Sequence, residues 1–374
     1  MADFMKKFKK SLGALAMPLV ALGVLLLFNL IRCIVIGNWS FYEITIATDE
    51  KGSILSGTLI SIIYSASALA ILAMGMTLVT AACGGQDISV GAVGAIAGAF
   101  FVIMMHPQKE EQMSTLASVA WPNVILGVLV AIIAAVIFCL FNGVLVAYFK
   151  IQPMIATLIL FSCGRAIAYY FLNDHLGVGS IKLDDPIIFA MGKAIPGIPI
   201  PTPIFFVILM GLLMWLVFKR TNLRLYTQAV GINQKAAQLN GINPVAVKLL
   251  SFVVLGVCVA VSSVVQASTL GTMATINQMD GWEMDAILAV AIGGNALGGG
   301  KFRLGGSILG AYTIATLTKT LYSMGVTSES IQAYKAIVII AIMVAGSPVV
   351  RNWFVSVNAR IRAMTRSTMT KEVG

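Results

Sequence analysis

Long apolar blocks separated by short polar segments run along the whole chain. About 20 apolar residues in an α-helix are needed to cross the hydrocarbon core of a bilayer. We therefore predict ten membrane-spanning helices, at residues 12–36, 54–83, 88–105, 122–148, 154–172, 202–218, 245–269, 284–297, 304–322 and 331–348. The first block is too long for the apolar region of a signal peptide, so we interpret it as an uncleaved span.

The basic residues define a topology for these spans. Seventeen of the 25 lysines and arginines fall in segments that are cytoplasmic if the N-terminus is inside, and four fall in the outer segments. Basic residues concentrate on the cytoplasmic side of membrane proteins. We therefore expect an all-α, polytopic membrane protein with both termini in the cytoplasm and a five-plus-five internal inverted repeat. The whole chain, residues 1–374, is predicted to be one membrane domain.

Three cytoplasmic segments complete this predicted organisation. They are a basic N-terminus at 1–11, a loop with a short helix at 219–244 and a basic tail at 349–374. We expect these segments at the cytoplasmic face of the membrane.

Composition excludes several other classes. Charged residues make up 11% of the chain and hydrophobic residues 59%, whereas a soluble domain has about 25% charged residues. The net charge of +10 follows from the topology, so we expect no nucleic-acid partner. The five cysteines form no CxxC pair, which argues against a disulfide framework or a zinc site.

Enzyme chemistry is also not expected. The nearest approach to a phosphate-binding loop is Gly298-Gly299-Gly300-Lys301-Phe302, which lacks the first glycine and the Ser/Thr of the motif. The only histidines are His106 and His175, so no metal cluster or catalytic triad is predicted. We expect no bound cofactor, no metal and no ATP on this chain.

The cytoplasmic loop contains a predicted short helix. Asn233 is a good N-cap and Gly241 a good C-cap, and Pro244 prevents continuation. Ala236 and Ala237 leave a small surface that another protein can approach closely. An ordinary interfacial linker helix is the alternative interpretation.

Glycines and small residues mark the positions where helices pack closely in lipid. Asp87 is a natural cap for span three. Spans three and eight are short, and such a pair points to a transport pathway. The residues predicted to serve helix packing or gating are Gly84, Gly85, Asp87, Ser89, Gly91, Gly293 and Gly294.

Polar residues in or beside the spans are candidates for a substrate pathway. Arg165 lies deepest and is a possible hydroxyl-binding donor, with a structural ion pair as the alternative. Asp285 begins span eight. The full set of candidates is Asn142, Gln152, Thr157, Arg165, Asp285 and Asn295.

Several stretches together resemble the permease subunits of ribose-type sugar ABC importers, from about residue 55 to 348. The stretch Lys150–Leu160 is especially similar to the galactofuranose branch. The motifs are Gly75–Val79 leading into Gly84–Gly91, Asn142-Gly143, Pro153 to Arg165, Gly231–Ile242 and Glu283 to Gly300.

The resemblance implies the partners. A separate ATPase subunit, which holds ATP and Mg²⁺, would bind a coupling helix formed by Gly231, Asn233, Ala236, Ala237, Gly241 and Ile242. An extracytoplasmic sugar-binding protein would dock outside. A second permease chain, identical or a sister, would complete the pathway for a monosaccharide of the ribose, galactofuranose or xylose kind.

Two departures and three alternatives accompany this resemblance. The family commonly has isoleucine where this chain has Gln86, and acidic residues where Gln234 and Lys235 stand. The first alternative is a nucleoside or branched-chain amino acid permease of the same superfamily. The others are an ion-coupled secondary transporter and a structural scaffold.

Overall fold

The computed structural model describes residues 2–49, 52–106, 108–109, 112–195 and 198–345. Within these ranges the helices are α1 (Ala2–Ile36), α2 (Thr58–Cys83), α3 (Val90–Met105), α4 (Trp121–Ala147), α5 (Pro153–Leu176), α6 (Pro186–Gly192), α7 (Pro203–Arg220), α8 (Leu223–Ile232), α9 (Gln234–Leu239), α10 (Pro244–Leu270), α11 (Trp282–Ile292), α12 (Leu304–Ser323) and α13 (Ser328–Ala345). The strands are β1 (Thr45–Asp49), β2 (Gly52–Ser56), β3 (Thr115–Leu116), β4 (Ser180–Leu183), β5 (Ala194–Ile195), β6 (Ile198–Pro201) and β7 (Thr272–Ala274).

The chain divides into two compact units, residues 1–320 and residues 321–374. The first contains α1 to α11, the strands and most of α12. The described part of the second contains the end of α12, a turn with Gly325 at φ +80° and α13. The single membrane domain over residues 1–374 stays a prediction, and its basic tail at 349–374 lies outside the described residues.

Each of the ten predicted spans contains a helix. Among the described residues, six helices are long and apolar enough to cross a membrane, namely the Leu15–Ile36 part of α1, and α2, α4, α5, α7 and α10. α3 is apolar but has 16 residues. The mostly helical, membrane-spanning character is therefore confirmed, whereas the count of ten spans stays a prediction.

Two details of the predicted fold were wrong. The chain is not purely helical, because short strands form in its connecting segments. Span eight was predicted at 284–297, but α11 ends at Ile292. Gly294 has φ +78°, and a glycine in this left-handed conformation ends a helix. The residues from Gly293 to Leu297 therefore belong to a turn.

Helix α2 lies at the centre of the first unit. Its residues from Ala66 to Ala82 are all buried, and it packs against α7, α10 and α11. A Cβ added to Gly75 would lie 2.8 Å from Cys258 Cβ on α10. Ser262 Oγ donates to Ala68 O over 2.7 Å. Small residues thus bring two apolar helices close enough for dispersion contacts and an interhelical hydrogen bond.

The strands join segments that were predicted to lie outside the membrane, except that β2 includes residues 54–56, which were predicted to begin span two. β3 pairs in parallel with β4, and β4 pairs antiparallel with β7, in the order β3-β4-β7. β1 with β2 and β5 with β6 form two antiparallel pairs. Backbone pairing on one side of the helices agrees with the predicted alternation of the loops, since segments on opposite faces of a bilayer cannot pair.

Asp185 holds this outer region together. Its side chain is buried, with 3% exposed. Oδ1 accepts from Ile187 N at 2.7 Å and Ile188 N at 3.4 Å, which caps α6. Oδ2 accepts from Val119 N at 2.8 Å. One carboxylate therefore satisfies backbone donors from two separate outer segments.

We expect Asp185→Ala to lower the free energy of unfolding by about 2 kcal/mol, because it leaves buried N–H groups without acceptors and removes a helix cap. The measurement is a denaturant titration of the detergent-solubilised protein. Asp184→Ala is the matched control. Asp184 lies in an exposed ion pair with Lys182, so its loss is expected to cost less than about 1 kcal/mol. Equal effects of the two variants would contradict this role of Asp185.

Candidate functional site

The chain breaks its helical path between α2 and α3. α2 ends at Cys83, and Gly84 adopts φ +63° as its C-cap. The adjacent Gly85 lies so close to α5 that an added Cβ would be 2.9 Å from Pro153 Cγ. Glycine is required at both positions, at the first for conformation and at the second for space. This segment, Gly84–Ser89, is hereafter the α2–α3 break.

A buried polar network fills the α2–α3 break. Asp87 Oδ1 accepts from Ser89 N and from Ser89 Oγ, both at 2.7 Å. Asn142 Nδ2 on α4 donates to Ser89 Oγ at 2.8 Å and to Asp87 Oδ2 at 3.3 Å. All three side chains are 0% exposed. The network fixes the entry of α3 against α4.

The predicted cap of α3 was placed two residues too early. Ser89 is the N-cap residue, and its side chain makes no capping bond to the helix. Asp87 instead accepts hydrogen bonds within the α2–α3 break. An N-cap side chain accepts from an N–H group of the first helical turn, two or three residues ahead. The N–H group two residues ahead of Asp87 belongs to Ser89, which precedes α3.

Thr157 and Gln152, both predicted in the substrate pathway, have different surroundings. Thr157 Oγ1 accepts from Ile88 N at 3.1 Å and donates to Pro153 O at 3.1 Å. It is fully buried, so it anchors the α2–α3 break to α5. Gln152 is the exposed N-cap residue of α5 and makes no side-chain capping bond.

A buried ion pair lies on the other side of α3. Arg165 Nη2 on α5 lies 3.1 Å from Glu283 Oε1 and 3.3 Å from Asp280 Oδ1. The Glu283 side chain is 3% exposed and that of Asp280 is 73% exposed. Arg165 Nε and Glu283 Oε2 are buried and have no hydrogen-bond partner. One hydrogen-bond donor, Arg165 Nε, and one acceptor, Glu283 Oε2, therefore remain without a partner in this ion pair.

Sequence reasoning selected Asp285 and missed Glu283. Glu283 is also on α11 and lies beside Gly91, where an added Cβ would be 2.7 Å from its Oε1. Asp285 is buried, with 8% exposed. The signal that could have identified Glu283 was an acidic residue at the start of a short span, because Arg165 within another span needs a partner of opposite charge. Span position alone did not say which of the two carboxylates faces Arg165.

Asn295 has a structural place in the turn after α11. Its Oδ1 accepts from Arg303 N at 2.6 Å. Its Nδ2 donates to Ser307 Oγ at 2.9 Å and to Val290 O at 3.1 Å. Gly293 packs against α12, where an added Cβ would lie 2.5 Å from Ser307 N. The residues from Gly293 to Arg303, hereafter the 293–303 turn, are thus held firmly to α11 and α12.

The predicted cytoplasmic helix is present as α9. Asn233 Oδ1 accepts from Ala236 N at 3.0 Å and caps it as predicted. Gly241 follows the C-cap residue Asn240 and has φ +79°. Ala237 is buried against Val230 and Val247. The small surface predicted for two alanines therefore reduces to one, because Ala237 packs inward.

Two large apolar side chains are exposed on α9 and just before it. Leu239 is 90% exposed and Ile232, just before the helix, is 75% exposed. Ala236 is exposed between them, whereas Ile242 is half-buried. Gly231 lies at the end of α8 in contact with Ala81 and Gly300. Leu239, Ile232 and Ala236 are thus exposed, whereas Gly231 on the preceding helix contacts α2 and the turn after α11.

Substituting Thr157 tests the support of the α2–α3 break. We expect Thr157→Val to lower the free energy of unfolding by about 1–3 kcal/mol, because Ile88 N loses its acceptor in a buried place. Ser162→Ala on the same helix is the control, since Ser162 is exposed and bonds only to Leu158 O. Denaturant titration in detergent compares the two. A similar cost in both variants would show that the bond to Ile88 is unimportant.

The chain matches known transport proteins. The family model described as "Branched-chain amino acid transport system / permease component" matches residues 58–346. The galactofuranose transporter permease protein of Escherichia coli (strain K12) is 36% identical over 78% of this chain and 80% of its own length. The fructose import permease protein of Bifidobacterium longum (strain NCC 2705) is 34% identical over 80% of each chain.

A third relative is the ribose import permease protein of Escherichia coli (strain K12), which is 31% identical over 75% of this chain and 83% of its own length. No solved structure matches the chain significantly.

Proposed function

The chain belongs to the family of permease components of branched-chain amino acid transport systems, and on that premise we propose that it is the permease subunit of an ATP-driven monosaccharide importer. Sugar is the supported cargo, because the relatives named above are permeases for galactofuranose, fructose and ribose. ATP hydrolysis takes place in a separate subunit in this proposal. The chain itself is a multi-pass protein of the bacterial inner membrane.

The proposed topology has ten spans, cytoplasmic termini and an inverted repeat of five spans. The contacts between connecting segments support this topology. Segments assigned to the outside meet in the β3-β4-β7 sheet. The end of span two assigned to the cytoplasmic side meets the segment between spans eight and nine, where Gly300 N donates to Ala81 O over 2.9 Å. The pairing of loops at each end agrees with the distribution of basic residues.

The observation that carries the function is the outward surface of α9. Leu239 on this short, capped helix and Ile232 just before it are exposed apolar side chains in a segment assigned to the cytoplasm. Neighbouring apolar side chains that are exposed to water mark a surface for a protein partner. We assign α9 as the coupling helix and the ATPase subunit as its partner. Gly231, Asn233, Ala236 and Gly241 shape it, and Ala237 and Ile242 are its inward-facing side chains.

Two further partners follow from the class. An extracytoplasmic sugar-binding protein is proposed to dock on the outer segments organised by Asp185. A second permease chain, a copy or a sister, is proposed to complete the pathway.

Leu239→Ala tests the coupling helix. We expect binding of the ATPase subunit to weaken by about thirtyfold, because a fully exposed leucine that anchors an interface contributes about 2 kcal/mol. Co-purification and titration of the ATPase onto detergent-solubilised permease measure it. Leu270→Ala is the control, since Leu270 is also exposed but lies at the opposite, outer end of α10. Full ATPase binding by Leu239→Ala would remove α9 from the interface.

For the substrate pathway we propose Arg165 together with Glu283. Arg165 Nε is a donor and Glu283 Oε2 an acceptor, and both are unpartnered. Neighbouring hydroxyl groups of a sugar offer the complementary acceptor and donor. Ionisable residues inside a membrane are costly and mark functional places. Asn142, Thr157 and Asn295 have their bonds within the protein, and we propose that they support the pathway and do not line it.

Glu283→Gln tests this contact. We expect the KM for sugar uptake to rise about tenfold or more in proteoliposomes that contain the permease, its ATPase and its binding protein, because a charged hydrogen bond to the sugar is lost. ATP hydrolysis without sugar is expected to persist. Asp280→Asn is the control, since Asp280 is exposed. Unchanged KM for a panel of D-ribose, D-fructose and D-galactose would exclude Glu283 from the sugar contact.

The family description itself favours a second candidate cargo, a branched-chain amino acid. Ligand screening of the cognate binding protein separates the two cargos. Uptake by the permease alone, without ATPase, would instead support an ion-coupled transporter.

A further inference from the structure

Three backbone segments meet at the cytoplasmic end of the first unit without side chains between them. Gly300 N donates to Ala81 O over 2.9 Å. Gly231 lies against both, because an added Cβ would overlap Ala81 O and would lie 2.5 Å from Gly300 N. The last turn of α8, the last turn of α2 and the 293–303 turn are therefore in direct backbone contact.

Two more glycines surround this contact. Gly299 has φ +93°, and an added Cβ would lie 2.9 Å from Gly84 Cα and 3.1 Å from Gly231 O. Gly84, with φ +63°, lies against Gly298 O in the same way, at 2.8 Å. Both positions combine a left-handed backbone with a close approach, so neither tolerates a side chain.

Side-chain bonds tie the joined segments further. Gln86 Nε2 in the α2–α3 break donates to Leu297 O at 3.0 Å. Phe302 packs edge-on against Phe218 of α7, with ring centroids 5.1 Å apart. The guanidinium carbon of Arg224 on α8 lies 5.9 Å from the centroid of the Phe302 ring. The 293–303 turn is thus connected to the α2–α3 break on one side and to α7 and α8 on the other.

The contact of α9 with α10 is of a different kind. Lys248 Nζ donates to Gln234 Oε1 over 3.0 Å, and Ala237 packs against Val247. Long side chains adjust by changing rotamer, whereas backbones in van der Waals contact have no such freedom. Displacement of α8 and α9 is therefore absorbed at α10 and transmitted at Gly231.

We propose that the contact of Ala81, Gly231 and Gly300 moves the α2–α3 break and the 293–303 turn together when the coupling helix is displaced. Gly231 is then a positioning residue for coupled transport. The inference rests on the proposed function of α9. It adds that the α2–α3 break and the 293–303 turn move together relative to α10.

Gly231→Ala is the first test, in proteoliposomes with the ATPase and the binding protein. We expect ATP-driven uptake to fall by about tenfold or more, while ATPase binding to α9 and ATP hydrolysis are retained. Gly298→Ala is the control in the same turn, because nothing lies within 4 Å of an added Cβ there. Its uptake is expected to equal that of the wild type. Normal uptake by Gly231→Ala overturns the inference.

A second test covers a Gly231→Ala protein that fails to insert. With the native cysteines replaced, Gln86→Cys and Leu297→Cys are bridged by a short bifunctional thiol reagent. Uptake is expected to continue, because the bridged segments move together. The same bridge between Gln234→Cys and Lys248→Cys is expected to stop uptake, because α9 moves relative to α10. The reverse pattern overturns the inference.

Failure of the proposed function is distinguishable from failure of this inference. If α9 is not the ATPase contact, Leu239→Ala leaves ATPase binding intact. If only the inference fails, Leu239→Ala weakens binding while Gly231→Ala transports normally.

Discussion

A helix that stops inside an apolar environment exposes backbone donors and acceptors that no water can satisfy. Each such group costs several kcal/mol in hydrocarbon. The α2–α3 break meets this constraint with its own Asp87 and with side chains from two neighbouring helices, α4 and α5. Thr157 accepts from Ile88 N, Asp87 accepts from Ser89 N, and Asn142 holds both Asp87 and Ser89. The positions of α4 and α5 around α3 follow from these bonds, and so does the direction in which α3 leaves the break.

Glycine meets a second constraint at the same end of the unit. Satisfying backbone groups with other backbones requires that the chains touch, and a single Cβ at Gly231 would separate Ala81 from Gly300. In lipid, close packing of small residues replaces the hydrophobic effect as the force that joins helices. The outcome is a close backbone contact between elements far apart in sequence, at the end of α8 that leads into α9 and its exposed Leu239.

The sequence was most informative where the physical cause is local. Asn233 caps α9 because a cap needs only its own helix, and the periodic apolar blocks contain helices because span length depends on the blocks alone. Glu283, Asn142 and Asn295 were harder, because their roles depend on which distant residue faces them. Asn142 and Asn295 looked available for substrate, but their hydrogen bonds go to Ser89 and Ser307. The short strands escaped prediction because runs of two to five residues carry little periodic signal.

The contacts of α3 change along its length. At its inner end, the α2–α3 break is fixed by short hydrogen bonds and by glycine backbone contacts. Along its length, Gly94 and Gly98 instead receive the sulfur atoms of Met279 and Met273 from the segment before α11. Methionine side chains are flexible and slide over a surface with little cost. Glu283 lies against Gly91, in the first turn of α3, so the glycine face of α3 connects the α2–α3 break with the Arg165–Glu283 pair.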